Sequence, residues 1–221
     1  MEPILITIDG PAGSGKSSAA RAVAGRLGIV NLNTGAAYRA VALLALREGL
    51  DLDNGQDLAG ISGRIFLEVG GVRLDGEPAP EPELRTPEVS AAASKVSVHP
   101  EVREVLLQVQ RDAARRAREN GGAVVEGRDI GTVVLPDAEL KVFLSASSEE
   151  RARRRAVQSG REAEQERIKK AMGLRDRQDS ERQASPLKPA PDAVVLDTTA
   201  LDLEEVVARI LDLARDRQRN G

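Results

Sequence analysis

The sequence predicts an α/β protein built on a central parallel sheet with helices on both faces. Two observations support this prediction. Short β-branched apolar runs alternate with longer runs of helical periodicity, which is the pattern of parallel strands joined by helices. A glycine-rich segment of defined spacing also joins the first strand to the first helix. The chain of 221 residues is long enough for one such domain with small insertions.

The glycine-rich segment has the sequence of a phosphate-binding loop. Residues 4–8 predict a buried strand, and residues 17–27 carry apolar side chains on one helical face, with Gly28 as the stop. Between them, Gly10-Pro11-Ala12-Gly13-Ser14-Gly15-Lys16-Ser17 matches the G-x-x-x-x-G-K-[ST] pattern of a P-loop. Glycines let backbone N–H groups turn inward, and the helix N-terminus adds positive potential, so this order of elements suits a phosphate cradle.

This loop predicts a P-loop NTPase fold that binds a nucleoside triphosphate with a metal ion. A lysine at the position of Lys16 reaches the β- and γ-phosphates, and a hydroxyl at the position of Ser17 is a ligand of Mg²⁺. We therefore expect ATP with Mg²⁺, and Ser17 as the metal ligand. The predicted ATP-binding residues are Gly10, Pro11, Ala12, Gly13, Ser14, Gly15, Lys16, Ser17 and Ser18.

The other core elements follow from the same two periodicities. Apolar runs predict further buried strands at residues 29–32, 123–126, 140–144 and 193–196. Helical patterns predict helices at residues 36–47, at residues 100–118 and after the opening segments 147–150 and 202–205.

Two regions interrupt this alternation. Residues 64–69 and 72–74 predict short strands joined by Gly70-Gly71, within a small antiparallel insertion that spans about residues 61–86 and ends in a proline-rich stretch. Residues 158–166 are polar and contain a glycine, which predicts a mobile loop between two arginine-rich helices.

Composition excludes several classes of function. The net charge of −3 provides no basic field for nucleic acid, and Tyr38, Phe66 and Phe143 are the only aromatic residues available for stacking on bases. No apolar run approaches the length of a membrane span, and the absence of cysteine fits a reducing cytosol. We expect a cytoplasmic monomer with small-molecule substrates and with neither nucleic acid nor membrane as a partner.

The sequence also narrows the class of P-loop protein. It contains no base-reading N-K-x-D segment, and its closest match to a Walker B strand, residues 124–126, ends in Glu. The chain is short for a motor ATPase, so a small phosphotransferase remains, with a second anionic site rich in arginine. Candidate segments for that site are Tyr38-Arg39, Arg103 and Gly127-Arg128-Asp129.

Several segments together resemble the bacterial cytidylate kinases. They run in order from the first strand to the last helix. They are Ile6-Thr7-Ile8-Asp9-Gly10-Pro11, Asn33-Thr34-Gly35-Ala36-Ala37-Tyr38-Arg39, Glu126-Gly127-Arg128-Asp129-Ile130-Gly131-Thr132-Val133-Val134, Ser147-Ser148-Glu149-Glu150-Arg151-Ala152, Arg175-Asp176 and the segment from Asp179 to Arg182 followed by Ser185-Pro186-Leu187.

The resemblance implies one nucleoside monophosphate kinase domain over residues 1–221. Its core comprises residues 1–35, 100–150 and 171–221, its monophosphate-binding insertion residues 36–99, and its short helical lid residues 151–170. The implied reaction transfers the γ-phosphoryl group of ATP to CMP or dCMP. It needs alignment and charge neutralisation but no general base.

The resemblance also implies the site residues. It assigns acceptor binding to Thr34, Arg39, Arg103 and Arg128, with Asp129, Asp179 and Arg182 reading the cytosine and its sugar. It assigns catalytic roles to Lys16, Arg128, Arg151, Arg154 and Arg155. Relatives often carry Ser where Thr34 stands, which keeps the hydroxyl, and Asp where Glu126 stands, which leaves the role of Glu126 in ordering Mg²⁺ open.

Simpler interpretations of these residues remain. Arg128 and Asp129 are able to pair with each other at the strand end, and Asp179 and Arg182 are spaced for a surface ion pair. At the level of function, the alternatives are a kinase of the same fold acting on UMP or on a small acid such as shikimate, and a nucleotide-dependent switch without an acceptor.

Overall fold

The computed structural model, which describes residues 3–182 and 185–220, has a parallel sheet at its centre. Within those residues its strands are β1 (Ile4–Asp9), β2 (Val30–Asn33), β6 (Gly122–Glu126), β7 (Leu140–Ser145) and β8 (Val194–Asp197), in the spatial order β2-β6-β1-β7-β8. The predicted α/β class and the predicted strands are confirmed. Residues 1, 2, 183, 184 and 221 of the predicted domain lie outside the described residues.

Helices cover both faces of this sheet because side chains alternate along its central strand. The flanking helices are α1 (Lys16–Leu27), α6 (Pro100–Glu119) and α9 (Leu203–Asn220). Ile6 of β1 packs with α1 and α9 on one face, whereas Leu5 packs with α6 on the other. Both faces are therefore buried, which is why the strands are apolar throughout.

A second body of structure forms around one apolar helix between β2 and α6. It contains α2 (Thr34–Glu48), α3 (Gly55–Ser62), a small antiparallel sheet of β3 (Ile65–Glu68), β4 (Gly71–Leu74) and β5 (Glu77–Pro78), then α4 (Glu81–Leu84) and α5 (Pro87–Val96). Helix α2 is apolar on most sides because α5, β3 and β4 all pack against it. The predicted antiparallel insertion is confirmed.

The sequence reasoning missed α3, α4, α5 and β5. The prolines of this stretch suggested irregular chain, but Pro87 stands in the first turn of α5, where its missing N–H removes no helical hydrogen bond. Thr86 caps this helix by accepting a hydrogen bond from the Val89 N–H at 3.2 Å.

The predicted loop at residues 158–166 is mostly helical. Helix α7 (Ser148–Ser159) ends at Gly160, whose φ of 62° suits a glycine, and a 3₁₀ turn at Glu162–Glu164 leads into α8 (Gln165–Glu181). The charged residues therefore form helix ends and a turn, and the connection between the two helices is shorter than the loop predicted over residues 158–166. No helix in the described part of the chain is long and apolar enough to cross a membrane.

The carboxyl ends of the parallel strands meet at one edge of the sheet. Ile8 lies opposite Glu126, and Glu126 in turn lies opposite Asn33, so that β1, β6 and β2 end level with one another. A π-helix at Ile130–Val134, which was not predicted, follows β6 at this edge. The P-loop, Thr34 and Arg128 lie on the segments that leave these strand ends. Other residues described below reach the same edge from α6, α7 and α8.

Candidate active site

A cleft of about 1420 Å³ opens at the carboxyl edge of the parallel sheet. Both the P-loop and the predicted acceptor residues line it, so the two predicted sites share one space. The predicted residues that line it are Ala12, Gly13, Ser14, Gly15, Lys16, Ser17, Ser18, Thr34, Arg39, Arg103, Arg128, Asp129, Arg154, Arg155, Asp179 and Arg182. Gly10, Pro11 and Arg151 do not line it.

The P-loop is tightly covered by the helices that follow β7. Gly13 has a φ of 74°, and a Cβ atom there would lie 2.7 Å from both the Arg151 carbonyl oxygen and the Met172 Cε atom. A larger residue is therefore excluded by backbone conformation and by contact with α7 and α8.

Lys16 lies inside the loop at the start of α1. Its ammonium group donates hydrogen bonds to the Pro11 carbonyl oxygen at 2.6 Å and to the Ser14 Oγ atom at 3.4 Å. Burial and then the positive charge of Arg128 lower the pKa of Lys16 to about 7. A bound polyphosphate would supply the negative charge that restores the ammonium form.

Ser17 and Glu126 form a pair of hard oxygen donors at the end of the loop. The Ser17 hydroxyl donates to Glu126 Oε2 at 2.6 Å, while Glu126 Oε1 is buried without a hydrogen-bond partner. No group of three or more His, Cys, Asp or Glu residues able to hold a metal occurs in the described parts of the chain. The donor set fits Mg²⁺, which commonly takes one or two protein oxygens together with phosphates and water.

On the acceptor side, the arginines pair across the fold. Arg103 donates to the Asp129 carboxylate, whereas Arg128 Nε donates to Asp179 Oδ2 at 2.9 Å. The alternative in which Arg128 and Asp129 pair with each other is therefore wrong. Arg128 Nη1 also donates to the Gly10 carbonyl oxygen at 2.7 Å, which connects the acceptor side to the P-loop.

Asp179 and Arg182 belong to the cleft and do not form a surface pair. Their side chains are only 10% and 9% exposed, and Arg182 Nη2 lies 3.6 Å from Asp179 Oδ1. Burial lowers the pKa of Arg182. The surface ion pair considered from the sequence is wrong because Arg128 brings Asp179 inward.

Two partly buried arginines in the cleft have no acidic partner among the described residues. They are Arg39 on α2 and Arg175 on α8, and the Nε atom of each has no hydrogen-bond partner. Burial and then the charge of Arg85 lower the pKa of Arg39 to about 10. Burial and then the charge of Arg128 lower the pKa of Arg175. Partly buried cations without an acidic partner have the chemistry to bind an anion.

The three predicted catalytic arginines of α7 lie in different surroundings. Arg151 donates to the Ala12 carbonyl oxygen at 3.1 Å and pairs with Asp176. Arg154 is held by Glu150 and by Thr198, to whose Oγ1 atom it donates at 2.9 Å. Arg155 lines the cleft and donates only to Gln158, at 2.9 Å. Of the three, Arg155 is therefore the one without an acidic partner in the described chain.

Thr34 and Tyr38 close the floor of the acceptor side. The Thr34 hydroxyl donates to the Glu126 carbonyl oxygen at 2.8 Å. The Tyr38 ring packs in the core around α2, with the Arg103 guanidinium 5.6 Å from its centroid. Tyr38 therefore supports Arg103 from the core around α2.

Two residues of this site, Arg175 and Asp176, were not among the predicted site residues. Asp176 Oδ1 accepts a hydrogen bond from the Ala12 N–H at 3.1 Å, and Arg175 lies in the cleft. Helical spacing was the available signal for Arg175, because it stands one turn before Asp179 on the same face. The segment Arg175-Asp176 was part of the resemblance, but no spacing in the sequence connected Asp176 to a P-loop 164 residues away.

Comparison with known proteins agrees with this geometry. The family model described as cytidylate kinase matches residues 6–216. A cytidylate kinase of Desulfitobacterium hafniense is 47% identical over 99% of this chain and 95% of its own length. Another, from Exiguobacterium sibiricum, is 47% identical over 97% of this chain and 98% of its own length.

The fold is shared with more distant kinases. The crystal structure of a gluconokinase from Sinorhizobium meliloti superposes with a TM-score of 0.52 at 17% identity, over 98% of this chain and 95% of that chain. The near full-length match to the family model and to the relatives above shows that this chain belongs to the cytidylate kinase family.

Proposed function

We propose that this protein transfers the γ-phosphoryl group of ATP to CMP or dCMP, which gives ADP and CDP or dCDP. The relatives that match nearly the whole chain are cytidylate kinases. One structural observation supports the proposal most directly. The P-loop and the unpaired arginines Arg39 and Arg175 open into the same cleft, so a donor and an anionic acceptor meet there.

The chemistry needs no protein base. A monophosphate acceptor is already a nucleophile, and the single histidine, His99, is engaged with the Leu52 carbonyl oxygen at 2.8 Å. Lys16 neutralises charge on the donor phosphates, while Arg39, Arg128 and Arg175 hold the acceptor phosphate. The rate enhancement then comes from alignment of the two phosphates and from fixed positive charge.

We propose that Ser17 and Glu126 hold Mg²⁺ at the donor phosphates. The support is the buried Oε1 atom of Glu126, which has no hydrogen-bond partner beside the Ser17 hydroxyl. When bound, the ion neutralises charge on the triphosphate. The Thr34 hydroxyl keeps Glu126 in place from the other side, since it donates to the Glu126 backbone carbonyl.

We propose that Asp129, Asp179 and Arg182 recognise the cytosine and its sugar. A carboxylate accepts a hydrogen bond from the exocyclic amino group of cytosine, which uracil lacks. Asp129 and Asp179 keep acceptor capacity beyond their bonds to Arg103 and Arg128. This arrangement favours CMP and dCMP over UMP.

We further propose that residues 36–99 and 151–170 close over the core as insertion and lid, and that Arg155 then reaches the transferring phosphoryl group, with Arg151 and Arg154 supporting it. Closure excludes water, which would otherwise hydrolyse ATP.

We also propose that the enzyme is a cytoplasmic monomer. The absence of cysteine is consistent with a reducing compartment, and gel filtration tests the oligomeric state.

The first experiment measures ADP formation from ATP and Mg²⁺ with CMP, dCMP, UMP, AMP, GMP and shikimate in parallel. We expect rapid turnover with CMP and dCMP, weak turnover with UMP and none with the others. Preference for another acceptor would overturn the cytosine assignment, and ADP formation that is independent of every acceptor would overturn the kinase proposal.

The same assay tests whether Arg175 binds the acceptor phosphate, with a matched pair of variants. Arg175→Met removes the guanidinium whose Nε atom has no hydrogen-bond partner, whereas Arg177→Met removes an exposed arginine two residues later on α8. We expect kcat/KM for the acceptor to fall at least about a hundredfold in the first variant and to stay near the wild-type value in the second. Equal effects of the two substitutions would show that Arg175 has no specific role in acceptor binding.

A further inference from the structure

Asp9 is a buried carboxylate at the end of β1 that the proposed reaction does not use. It directly precedes the P-loop and is only 5% exposed. Its two oxygens accept hydrogen bonds from consecutive backbone amides, Oδ1 from the Ile130 N–H at 2.9 Å and Oδ2 from the Gly131 N–H at 2.8 Å. No cation forms an ion pair with it in the described parts of the chain.

These two amides begin the π-helix that follows the acceptor residues. The π-helix, Ile130–Val134, is a rare conformation, and it lies immediately after Arg128 and Asp129. A Cβ atom on Gly131 would lie 2.9 Å from Thr7 Oγ1, so this turn is pressed against β1. The position of Arg128 and Asp129 therefore depends on how this turn is attached to the strand.

The end of β1 provides that attachment at three points. The Asp9 carboxylate accepts hydrogen bonds from the Ile130 and Gly131 N–H groups, and the Gly10 carbonyl oxygen accepts a hydrogen bond from Arg128 Nη1 at 2.7 Å. Asp9 and Gly10 are also where the strand passes into the donor loop. One short segment thus holds both the phosphate loop and the backbone of the acceptor side.

The carboxylate is kept at this position against the cost of its burial. Burial raises the pKa of Asp9 to about 6, and the two amides oppose that rise. The charged neighbours are Asp129, which also raises the pKa, and Lys16 of α1, which lowers it. On the adjacent β7, Asp9 lies opposite the uncharged Phe143, and Lys141 is paired with Asp192.

We propose that Asp9 is a positioning residue for the acceptor, because its ionised carboxylate fixes the backbone that carries Arg128 and Asp129. This inference rests on the proposed function. A protonated Asp9 has a hydroxyl donor in place of one acceptor oxygen, so it holds one amide well and loses the other. Acceptor affinity should therefore weaken as Asp9 becomes protonated, while the donor site is affected less.

The test is the steady-state kinetics of Asp9→Asn, with the monophosphate that the wild type prefers as acceptor. Asparagine keeps one acceptor oxygen at nearly the same volume. We expect KM for the acceptor to rise about ten- to hundredfold at pH 8, with much smaller changes in KM for ATP. Asp137→Asn is the matched control, since it makes the same change at an exposed aspartate beyond the π-helix, and it should leave both KM values near those of the wild type.

The pH dependence separates positioning from a merely structural role. The acceptor phosphate itself titrates near pH 6, so the informative quantity is the ratio of the variant and wild-type KM values at each pH. We expect this ratio to be large at pH 8 and to approach one near pH 5, where the wild-type carboxyl is protonated. Amide hydrogen exchange at Ile130 and Gly131 should be faster in Asp9→Asn.

The outcomes distinguish this inference from the proposed function. A wild type that phosphorylates its acceptor, together with an Asp9→Asn variant of unchanged acceptor KM or a ratio that is constant with pH, overturns the inference alone. Equal increases in KM for ATP and for the acceptor would also overturn it. If the wild type phosphorylates none of the acceptors tested, the proposed function and this inference are overturned together.

Discussion

At the scale of single residues, burial determines the chemistry of the site. Lys16 and Arg39 are both shielded from water, and each lies near another cation, so the pKa of each is lowered, to about 7 and about 10 respectively. A lysine with a pKa near 7 is partly neutral at the pH of the cell. Its full charge then depends on the arrival of the phosphates that it binds.

ATP binding should therefore take up a proton at Lys16. At pH 8 a group with a pKa of about 7 is mostly neutral, and a polyphosphate raises that pKa, so we expect an uptake of about one half to one proton per ATP. Calorimetry of MgATP binding in buffers of different ionisation enthalpy measures this number. Lys16→Arg keeps the charge but does not titrate, and it should abolish the uptake. Equal proton uptake in both proteins would contradict the prediction.

The same lowered pKa has a consequence for stability. Between about pH 7 and the ordinary lysine value of 10.5, the unfolded chain binds a proton at Lys16 that the folded chain does not. The contribution of this residue to folding stability therefore rises with pH across that interval and is least favourable below it. At neutral pH, burial of Lys16 therefore lowers the free energy of unfolding, while the same residue is proposed to bind the donor phosphates.

At the scale of elements, the pair of helices α7 and α8 is attached to the P-loop through one residue. Arg151 of α7 binds the Ala12 carbonyl oxygen, Asp176 of α8 binds the Ala12 N–H, and the two side chains pair with each other. The ion pair thereby occupies both polar groups of a single residue. Any displacement of the two helices must break this arrangement or move the loop.

A double-mutant cycle tests this attachment. Arg151→Met and Asp176→Asn should each raise KM for ATP, because each leaves a buried polar group without its partner. The double variant should cost much less than the sum, with a coupling energy of about 1–3 kcal/mol. Arg153→Met, which removes an exposed arginine of α7, serves as the control. Additive effects would show that the two residues act independently.

The elements were predictable where one physical signal dominated. β-branched runs identified the parallel strands, and the glycine spacing identified the loop before α1. The segment around α5 was not predictable in the same way, because its prolines suggest a turn unless the Thr86 cap and the packing of α2 are known. Residues 158–166 were misjudged because charge and one glycine also describe two helix ends.

The site was predictable in its members more than in its pairings. Sequence motifs identified Arg128, Asp129 and Asp179, but Arg128 pairs with Asp179 across 51 residues and leaves its neighbour Asp129 to Arg103. Such pairings depend on which faces the helices present after packing. The open question about Glu126 likewise required the position of its side chain beside Ser17.

At the scale of the whole molecule, the cleft is larger than one compact ligand site. Its volume of about 1420 Å³ exceeds the range of roughly 300–1,000 Å³ that is usual for small-molecule pockets. The proposed pair of nucleotides requires a space of this size, and the walls of the cleft come from α2 on one side and α7 and α8 on the other. Movement of these walls toward each other is the expected response to binding.

Small-angle X-ray scattering measures this movement. We expect the radius of gyration to fall when a linked analogue of both substrates binds, and to fall less with CMP or a non-hydrolysable ATP analogue alone. Arg175→Met, which lacks one cation of the wall, should contract less with the linked analogue. An unchanged radius in the wild type would contradict closure of the insertion and the lid.

The unpaired arginines on facing walls have a practical consequence for work with this protein. Arg39 on one wall and Arg155 and Arg175 on the other repel one another, and a small polyvalent anion relieves that repulsion whether or not it is a nucleotide. We therefore expect phosphate and sulfate in a buffer to compete with the acceptor at the proposed site. Kinetic constants are better measured in chloride buffers of fixed ionic strength.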